Sequence, residues 1–129
     1  MINRDKGKTP SQRQLKVGEL IRHVVAEIFA RGEIVDDVLS RYSLTVSEVR
    51  ITPDLKLATI FVLPLGGTGA EDVVKQLEQH KRFVRGEIAK RVNLKFMPEI
   101  RFKADSSFAI SQRIDELLAS PRVARDLDT

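Results

Sequence analysis

Apolar side chains recur every three or four positions in the first third of the chain, which is the spacing of one face of an α-helix. The stripe predicts a helix from about residue 12 to residue 31. Ser11 and Gln14 have the spacing of a capping box, in which each side chain satisfies an amide of the first turn. Gly32 stands where a C-terminal cap belongs. The apolar stripe consists of Val17, Leu20, Ile21, Val24, Val25, Ile28 and Phe29.

Two extended segments follow, joined by a turn. Residues 44–51 are rich in β-branched and apolar side chains, but their alternation changes phase around Ser47. The change predicts either a β-bulge near Ser47 or a strand that is partly buried on both faces. Residues 52–56 carry Pro and Asp at turn positions, and residues 57–63 are apolar on both faces, which favours a central strand. Together the two segments predict a hairpin with a loop longer than two residues.

Helical spacing returns after a glycine-rich loop and is interrupted once by a run of polar residues. The interruption predicts two helices that meet at a kink formed by Gln79, His80 and Lys81, with one bent helix as the alternative. Residues 100–104 then alternate between apolar and basic side chains. This alternation predicts a third strand with one cationic face.

The predicted order is α-β-β-α-kink-α-β, followed by a C-terminal helix that Asp105 can cap and Pro121 stops. We expect an α+β fold with the helices packed on one face of a three-stranded sheet, because one small sheet must cover its apolar side. Residues 11–120 would form the folded domain. Residues 1–10 read as a disordered basic arm and residues 121–129 as a flexible tail.

The charge of the chain is unevenly distributed. The 129 residues carry a formal net charge of +4, but residues 75–103 hold nine basic and three acidic residues and therefore a net charge of +6. A clustered basic surface on a small domain is the electrostatic signature of nucleic-acid binding. Aromatic residues make up only 5% of the chain, which disfavours a binder that stacks successive bases on a row of rings.

One helix face shows the pattern most clearly. Arg82, Gly86, Lys90 and Asn93 share one side of the second helix after the kink. The basic side chains can neutralise phosphates, and Gly86 leaves a bare patch where a sugar–phosphate backbone can come close. The alternative is a solvated face in which Gly86 permits helix–helix packing. The predicted RNA-binding residues are Arg13, Lys16, Lys81, Arg82, Arg85, Lys90, Arg91, Lys95, Arg101 and Lys103.

The residues that enzymes need are not arranged as a catalytic site. The chain has no Cys and two His, which is too few for most metal sites, and it shows no catalytic-triad order or nucleophile elbow. The loop at residues 66–69 lacks the Gly-Lys-Ser/Thr ending of a phosphate-binding loop. We therefore expect no enzymatic activity, no cofactor, no bound metal and no small-molecule substrate.

The same loop reads Gly-x-x-Gly, the signature with which KH domains clamp a nucleic-acid backbone. A KH clamp joins two helices, whereas this loop follows a strand, and the predicted junction of helices has no glycine. The pattern predicts a KH-like topology without the usual clamp. No apolar run approaches the length of a membrane span, the N-terminus is polar and basic, and nothing indicates a dimer interface. We therefore expect a cytoplasmic monomer that does not enter membranes.

Three blocks of sequence resemble the ribosome-binding factor A family. The first is the opening helix with its basic side chains, and the second is the hairpin LTVSEVRITPDLKLATIFV at residues 44–62. The third runs from FVRG at residues 83–86 through VNLK into MPEIRFKADSS at residues 97–107. The blocks cover most of residues 12–119.

The resemblance implies a type II KH-like fold in which an interhelical kink replaces the glycine clamp. It also implies a non-enzymatic assembly factor that binds the small (30S) ribosomal subunit and its 16S rRNA and assists late maturation and rRNA processing. The chain departs from the family pattern twice. It reads Val35-Asp36-Asp37-Val38 where Asp-Pro-Arg is common, and His80-Lys81-Arg82 where Ala or Gly is common.

Two other functions fit the residues. A KH-type regulator of single-stranded RNA or DNA would bind short oligonucleotides tightly in the absence of ribosomes. A protein-interaction module would use the basic surface to meet acidic partners, and its complexes would be insensitive to RNase.

Overall fold

Within residues 9–105, three α-helices and three strands follow one another in the predicted order. The computed structural model describes residues 9–105. The predicted C-terminal helix and tail, and the first eight residues of the predicted arm, lie outside the described residues. The elements are α1 (Gln12–Ala30), a short 3-10 helix (Leu39–Arg41), β1 (Leu44–Ile51), β2 (Leu57–Pro64), α2 (Ala70–Gln79), α3 (Lys81–Arg91) and β3 (Glu99–Ala104).

The ends of α1 confirm the predicted caps. The Ser11 hydroxyl accepts a hydrogen bond from the Gln14 amide at 3.1 Å, and the Gln14 side chain accepts one from the Ser11 amide at 2.8 Å. Gly32 has φ of 61° just after the last turn, a conformation that glycine adopts without the penalty of a Cβ atom. The apolar stripe of α1 is buried in the core, apart from Leu20, which is exposed, and Phe29, which is half-buried.

α1 lies directly against β1. The Gln14 side-chain amide donates to the Ile51 carbonyl at 2.7 Å. A Cβ atom on Gly18 would stand 2.9 Å from the Val49 carbonyl oxygen, so only glycine allows the helix backbone to approach the strand this closely. Gly18 and the Gln14 bond together set the position of α1 on the sheet.

The sheet has the order β1-β2-β3, which confirms the central position of β2. β1 and β2 are antiparallel, with a bulge between Val46 and Glu48, as the phase change predicts. β3 pairs with β2 in the parallel sense, and the connection between them contains both α2 and α3. On one face of the sheet, side chains from all three strands join the core formed with the helices.

The predicted kink is confirmed as a junction between two separate helices. α2 ends at Gln79 and α3 begins at Lys81, and His80 belongs to neither. The His80 amide donates to the Leu77 carbonyl of α2 at 2.9 Å, and its carbonyl accepts from the Val84 amide of α3 at 3.0 Å. Over the described residues the molecule is the expected α+β domain, with KH-like order of elements and helices on one face of the sheet.

Candidate nucleic-acid interface

The outer side of α3 carries a basic strip with a gap in its centre. Arg82, Gly86 and Lys90 are all exposed and one helical turn apart. A Cβ atom built on Gly86 would meet no atom of residues 9–105 within 4 Å. Gly86 therefore forms an open patch between two cations, and the alternative in which it packs against another helix is not what the described residues show.

A second set of cations lies on the face of the sheet away from the helices. Cross-strand pairing places Arg50, Thr59 and Arg101 in one row. The Arg101 Nε donates to the Thr59 hydroxyl at 2.8 Å, so the guanidinium lies along the sheet. Lys103 occupies the neighbouring row beside Phe61, and the Arg50 guanidinium stands 5.1 Å from the centre of the Phe61 ring.

These two sets do not form one patch. Arg82 and Lys90 project from the outer surface of α3, whereas Arg101 and Lys103 project from the opposite face of the sheet on which α3 packs. The structure brings Arg101 together with Arg50, which the sequence analysis did not select. The bulge at Ser47 shifts the alternation of side chains along β1, and Arg50 therefore lies on the face away from the helices. The predicted bulge is thus the sequence signal that could have identified Arg50.

Arg85 points inward to the protein backbone. Its Nε donates to the Pro98 carbonyl at 2.9 Å, and its Nη2 donates to the Met97 carbonyl at 2.8 Å. The same guanidinium lies 3.5 Å from the Glu99 carboxylate. These contacts pin the segment that leads into β3 to the side of α3, so the side chain has a positioning role within the fold.

Arg91 is surrounded by carboxylates. It donates to Glu27 at 2.8 Å, to Glu87 at 3.0 Å and to Glu33. The bond to Glu33 is the main cause that raises the pKa of Arg91 above its usual range. The cluster connects α1, the loop after it and α3, and its carboxylates already neutralise the Arg91 charge.

Two of the predicted lysines have one carboxylate partner each, three positions earlier in the sequence. Lys81 lies 2.6 Å from Glu78, and Lys90 lies 3.1 Å from Glu87. Lys90 remains 74% exposed. Exposed pairs of this kind contribute about 0–1 kcal/mol, so both lysines can exchange their partner for a phosphate with little loss of stability.

The remaining predicted cations are exposed and make no ion pair with any residue between 9 and 105. They are free to contact phosphates without breaking an internal ion pair. This group consists of Arg13, Lys16, Arg82, Lys95, Arg101 and Lys103.

The junction between α2 and α3 is closed by a side-chain bond. The His80 Nε2 lies 2.8 Å from the Asp36 Oδ2, although 44 positions separate them in sequence. Asp36 also accepts hydrogen bonds from the amides of Val38 and Leu39. The Leu39 amide, followed by the His80 bond, holds the pKa of the Asp36 carboxyl below its ordinary value. Asp36 and His80 lie in the two segments where the chain departs from the pattern of the family that it resembles, and the structure makes them partners.

Sequence reasoning also missed a groove between the start of α1, the β1–β2 turn and the segment that leads into β3. It joins the predicted Arg13 and Lys95 with Lys56 and Phe96, which were not selected. Lys56 and Phe96 stand in a turn and a loop, where periodicity carries no signal. Only the fold brings these four residues to one place.

Within residues 9–105, no group of three or more His, Cys, Asp or Glu side chains is placed to hold a metal ion. No helix in the same range has the length and apolar character required to cross a membrane.

Comparison with known proteins gives one family. A family model described as ribosome-binding factor A matches residues 13–118. A curated protein named ribosome-binding factor A from Rhodopseudomonas palustris (strain BisB5) is 57% identical over 122 residues, which cover 95% of this chain and 90% of that protein.

Solved structures agree at the level of the fold. The crystal structure of ribosome-binding factor A from Thermus thermophilus superposes with a TM-score of 0.61 at 21% identity, covering 70% of this chain and 93% of that one. A Thermus thermophilus ribosome-binding factor A fitted into a cryo-electron-microscopy map of a 30S complex gives a TM-score of 0.56 at 22% identity. That alignment covers 67% of this chain and 89% of the other.

Proposed function

Because the chain belongs to the ribosome-binding factor A family, we propose that it binds the small (30S) ribosomal subunit and its 16S rRNA. We propose that it acts as a monomeric assembly factor in late maturation and rRNA processing, by binding and not by catalysis. The observation that carries the proposal is the 57% identity to a named ribosome-binding factor A over nearly the whole chain. A fold relative placed in a 30S complex supports the choice of subunit.

The exposed cations supply the chemistry of binding. Lys and Arg side chains that neutralise phosphates release counterions from the nucleic acid, and this release provides most of the sequence-independent affinity. Phosphate contacts also set the orientation of the protein on the RNA. The open patch at Gly86 between Arg82 and Lys90 suits the approach of a sugar–phosphate backbone, because no side chain of the described residues covers it.

The closed junction argues against a KH-type single-strand clamp. Such a clamp needs a glycine loop between two helices, and here His80 occupies the junction and is bonded to Asp36. The Gly-x-x-Gly loop instead connects β2 to α2, where Gly66, Gly67 and Gly69 take positive φ values that a turn requires.

The experiment that tests the proposal is sucrose-gradient profiling of cells that lack the gene. We expect excess free subunits and unprocessed 16S rRNA, both restored by the wild-type protein. The triple variant Arg82→Gln/Lys90→Gln/Arg101→Gln should restore neither, because three phosphate contacts are lost.

Lys75→Gln provides the control, since Lys75 is an exposed lysine of α2 outside the predicted set. A normal profile in the deletion strain would contradict the proposed function. Full rescue by the triple variant would contradict the assignment of its residues. If binding to subunits survives treatment with RNase but is lost when ribosomal proteins are removed, the protein-interaction module is favoured.

A further inference from the structure

A solvent-open groove lies beside the N-terminal turn of α1. Its walls are the first turns of α1, the β1–β2 turn and the segment between α3 and β3. Its volume of about 700 Å³ lies in the range of sites that take small organic groups. The groove is a different surface from the basic strip on α3 and from the face of the sheet away from the helices.

The base of the groove is apolar and held in place. Leu55, Leu94 and Met97 line it and pack against the hydrophobic core. Arg85 fixes the wall that carries Met97 through its two bonds to the backbone carbonyls of residues 97 and 98. A ligand would therefore meet a preformed surface and would not have to order a loose loop.

Phe96 is the unusual residue of this wall. Its side chain is 76% exposed, although removing an aromatic ring from water is favourable. The Lys95 ammonium stands 5.6 Å from the centre of the Phe96 ring. An exposed ring with a cation over one face can receive a flat π-system on its other face and an anion beside the cation.

The rim of the groove is positively charged. Arg13, Lys56 and Lys95 line it, and none of them is paired with a carboxylate of the described chain. The acidic lining residues are already engaged. Asp54 accepts bonds from the Thr52 hydroxyl at 2.7 Å and from the Lys56 amide at 3.0 Å, and Glu99 lies 3.5 Å from Arg85.

We propose that this groove receives one unpaired nucleotide of RNA. Its base stacks on Phe96 over the apolar floor, and its phosphates lie among Arg13, Lys56 and Lys95. A single ring suits a single extruded nucleotide, in keeping with a chain of only 5% aromatic residues. The proposal rests on the proposed function and adds to it a contact that depends on an exposed base as well as on phosphate charge.

The test compares the binding of Phe96→Ala and Phe96→Trp variants to isolated small ribosomal subunits at several salt concentrations. Loss of one base–aromatic stack should weaken binding by about 5- to 150-fold. The dependence on salt should stay unchanged, because no charge is removed. Phe96→Trp should bind like the wild type, and as the sole tryptophan of the chain its fluorescence should change when a base stacks on it.

Leu65→Ala is the matched control, since Leu65 is also a highly exposed apolar side chain but lies outside the groove. A photoreactive phenylalanine analogue at position 96 then identifies the occupant, and we expect crosslinks to rRNA. Crosslinks to a ribosomal protein or to the chain itself would overturn the proposal.

The outcomes separate the two proposals. If the wild type binds subunits and Phe96→Ala binds equally well, the nucleotide site is wrong and the proposed function stands. If the wild type does not bind subunits, both are wrong. Circular dichroism of each variant establishes that the fold is retained.

Discussion

Residues of one type have different roles in this molecule, and their contacts distinguish them. Arg82 is exposed and has no carboxylate partner among the described residues, whereas Arg91 is held by three carboxylates. The two helical glycines differ in the same way. Gly18 faces the Val49 carbonyl, and Gly86 faces open space. Each pair looks alike in sequence, and for the two glycines the same substitution has opposite expected effects on stability.

Gly18→Ala should lower the free energy of unfolding by about 1–2 kcal/mol. The new Cβ would stand 2.9 Å from a backbone oxygen that cannot rotate away, and overpacking of this kind outweighs the higher helix propensity of Ala. Urea unfolding followed by circular dichroism measures the change.

Gly86→Ala is the counterpart of that variant. It should raise the free energy of unfolding by about 0.5–1 kcal/mol, because Ala restricts the unfolded chain and its methyl group meets no atom of the described residues in the folded one. It should also weaken binding to small subunits, since a methyl group would then occupy the open patch. A stabilised variant with unchanged binding would show that no RNA backbone approaches Gly86.

At the scale of elements, contacts between them fix the segments that carry the candidate site. The Arg91 cluster joins α1 to α3, and Arg85 holds the segment before β3. His80 and Asp36 join the helical junction to the loop after α1. The carboxylate of Asp36 accepts hydrogen bonds from the two backbone amides at the start of the short 3-10 helix. The angle between α2 and α3 therefore depends on a loop far away in sequence.

Asp36→Asn should lower the unfolding midpoint at neutral pH, because the amide is a weaker acceptor than the carboxylate. The folded-state pKa of Asp36 is depressed, so its stabilisation is fully present above the unfolded carboxyl pKa of about 4. It is lost as the pH falls through the folded-state pKa. The difference between wild type and variant should therefore shrink toward pH 3.

Thermal unfolding across pH 3–7, a range chosen about the ordinary carboxyl pKa, measures this difference. Asp37→Asn is the control, because the Asp37 carboxylate makes no bond to another residue of the described chain. An equal loss of stability in both variants, or a difference that does not depend on pH, would contradict the role given to Asp36.

At the scale of the whole molecule, two of the cationic surfaces within residues 9–105 lie on opposite sides of the sheet, apart from the groove. Arg82 and Lys90 are on the outer side of α3, and Arg101 and Lys103 are on the far face of the sheet. A flat RNA surface can reach only one of these sides at a time. If both contribute to binding, the protein sits in a cleft of the subunit with RNA on either side.

We expect that Arg82→Gln/Lys90→Gln and Arg101→Gln/Lys103→Gln each weaken binding to small subunits. Each phosphate contact contributes about 0.7–0.9 to the slope of log affinity against log salt, so each double variant should reduce the slope by about 1.5. Titration at several salt concentrations measures it. A slope that changes for only one of the two variants would place the subunit on that side alone.

Much of the fold follows from local sequence signals. The capping box at Ser11 and Gln14, the bulge at Ser47 and the break at His80 are all confirmed. Each of them depends on residues within a few positions of one another, so spacing and backbone preference suffice. The family resemblance is confirmed for the same reason, since ordered local motifs carried it.

The contacts of the candidate site were decided by tertiary structure alone. Arg91 and Glu27 are 64 positions apart, and His80 and Asp36 are 44 apart. The sequence by itself determined which residues are basic and which elements carry them. Only packing decided which cations turn inward to a carboxylate or carbonyl, which face opposite sides of the sheet, and that Arg13, Lys56, Lys95 and Phe96 share a groove. Side-chain partners over such distances are selected by how the elements pack, and no local pattern records that choice.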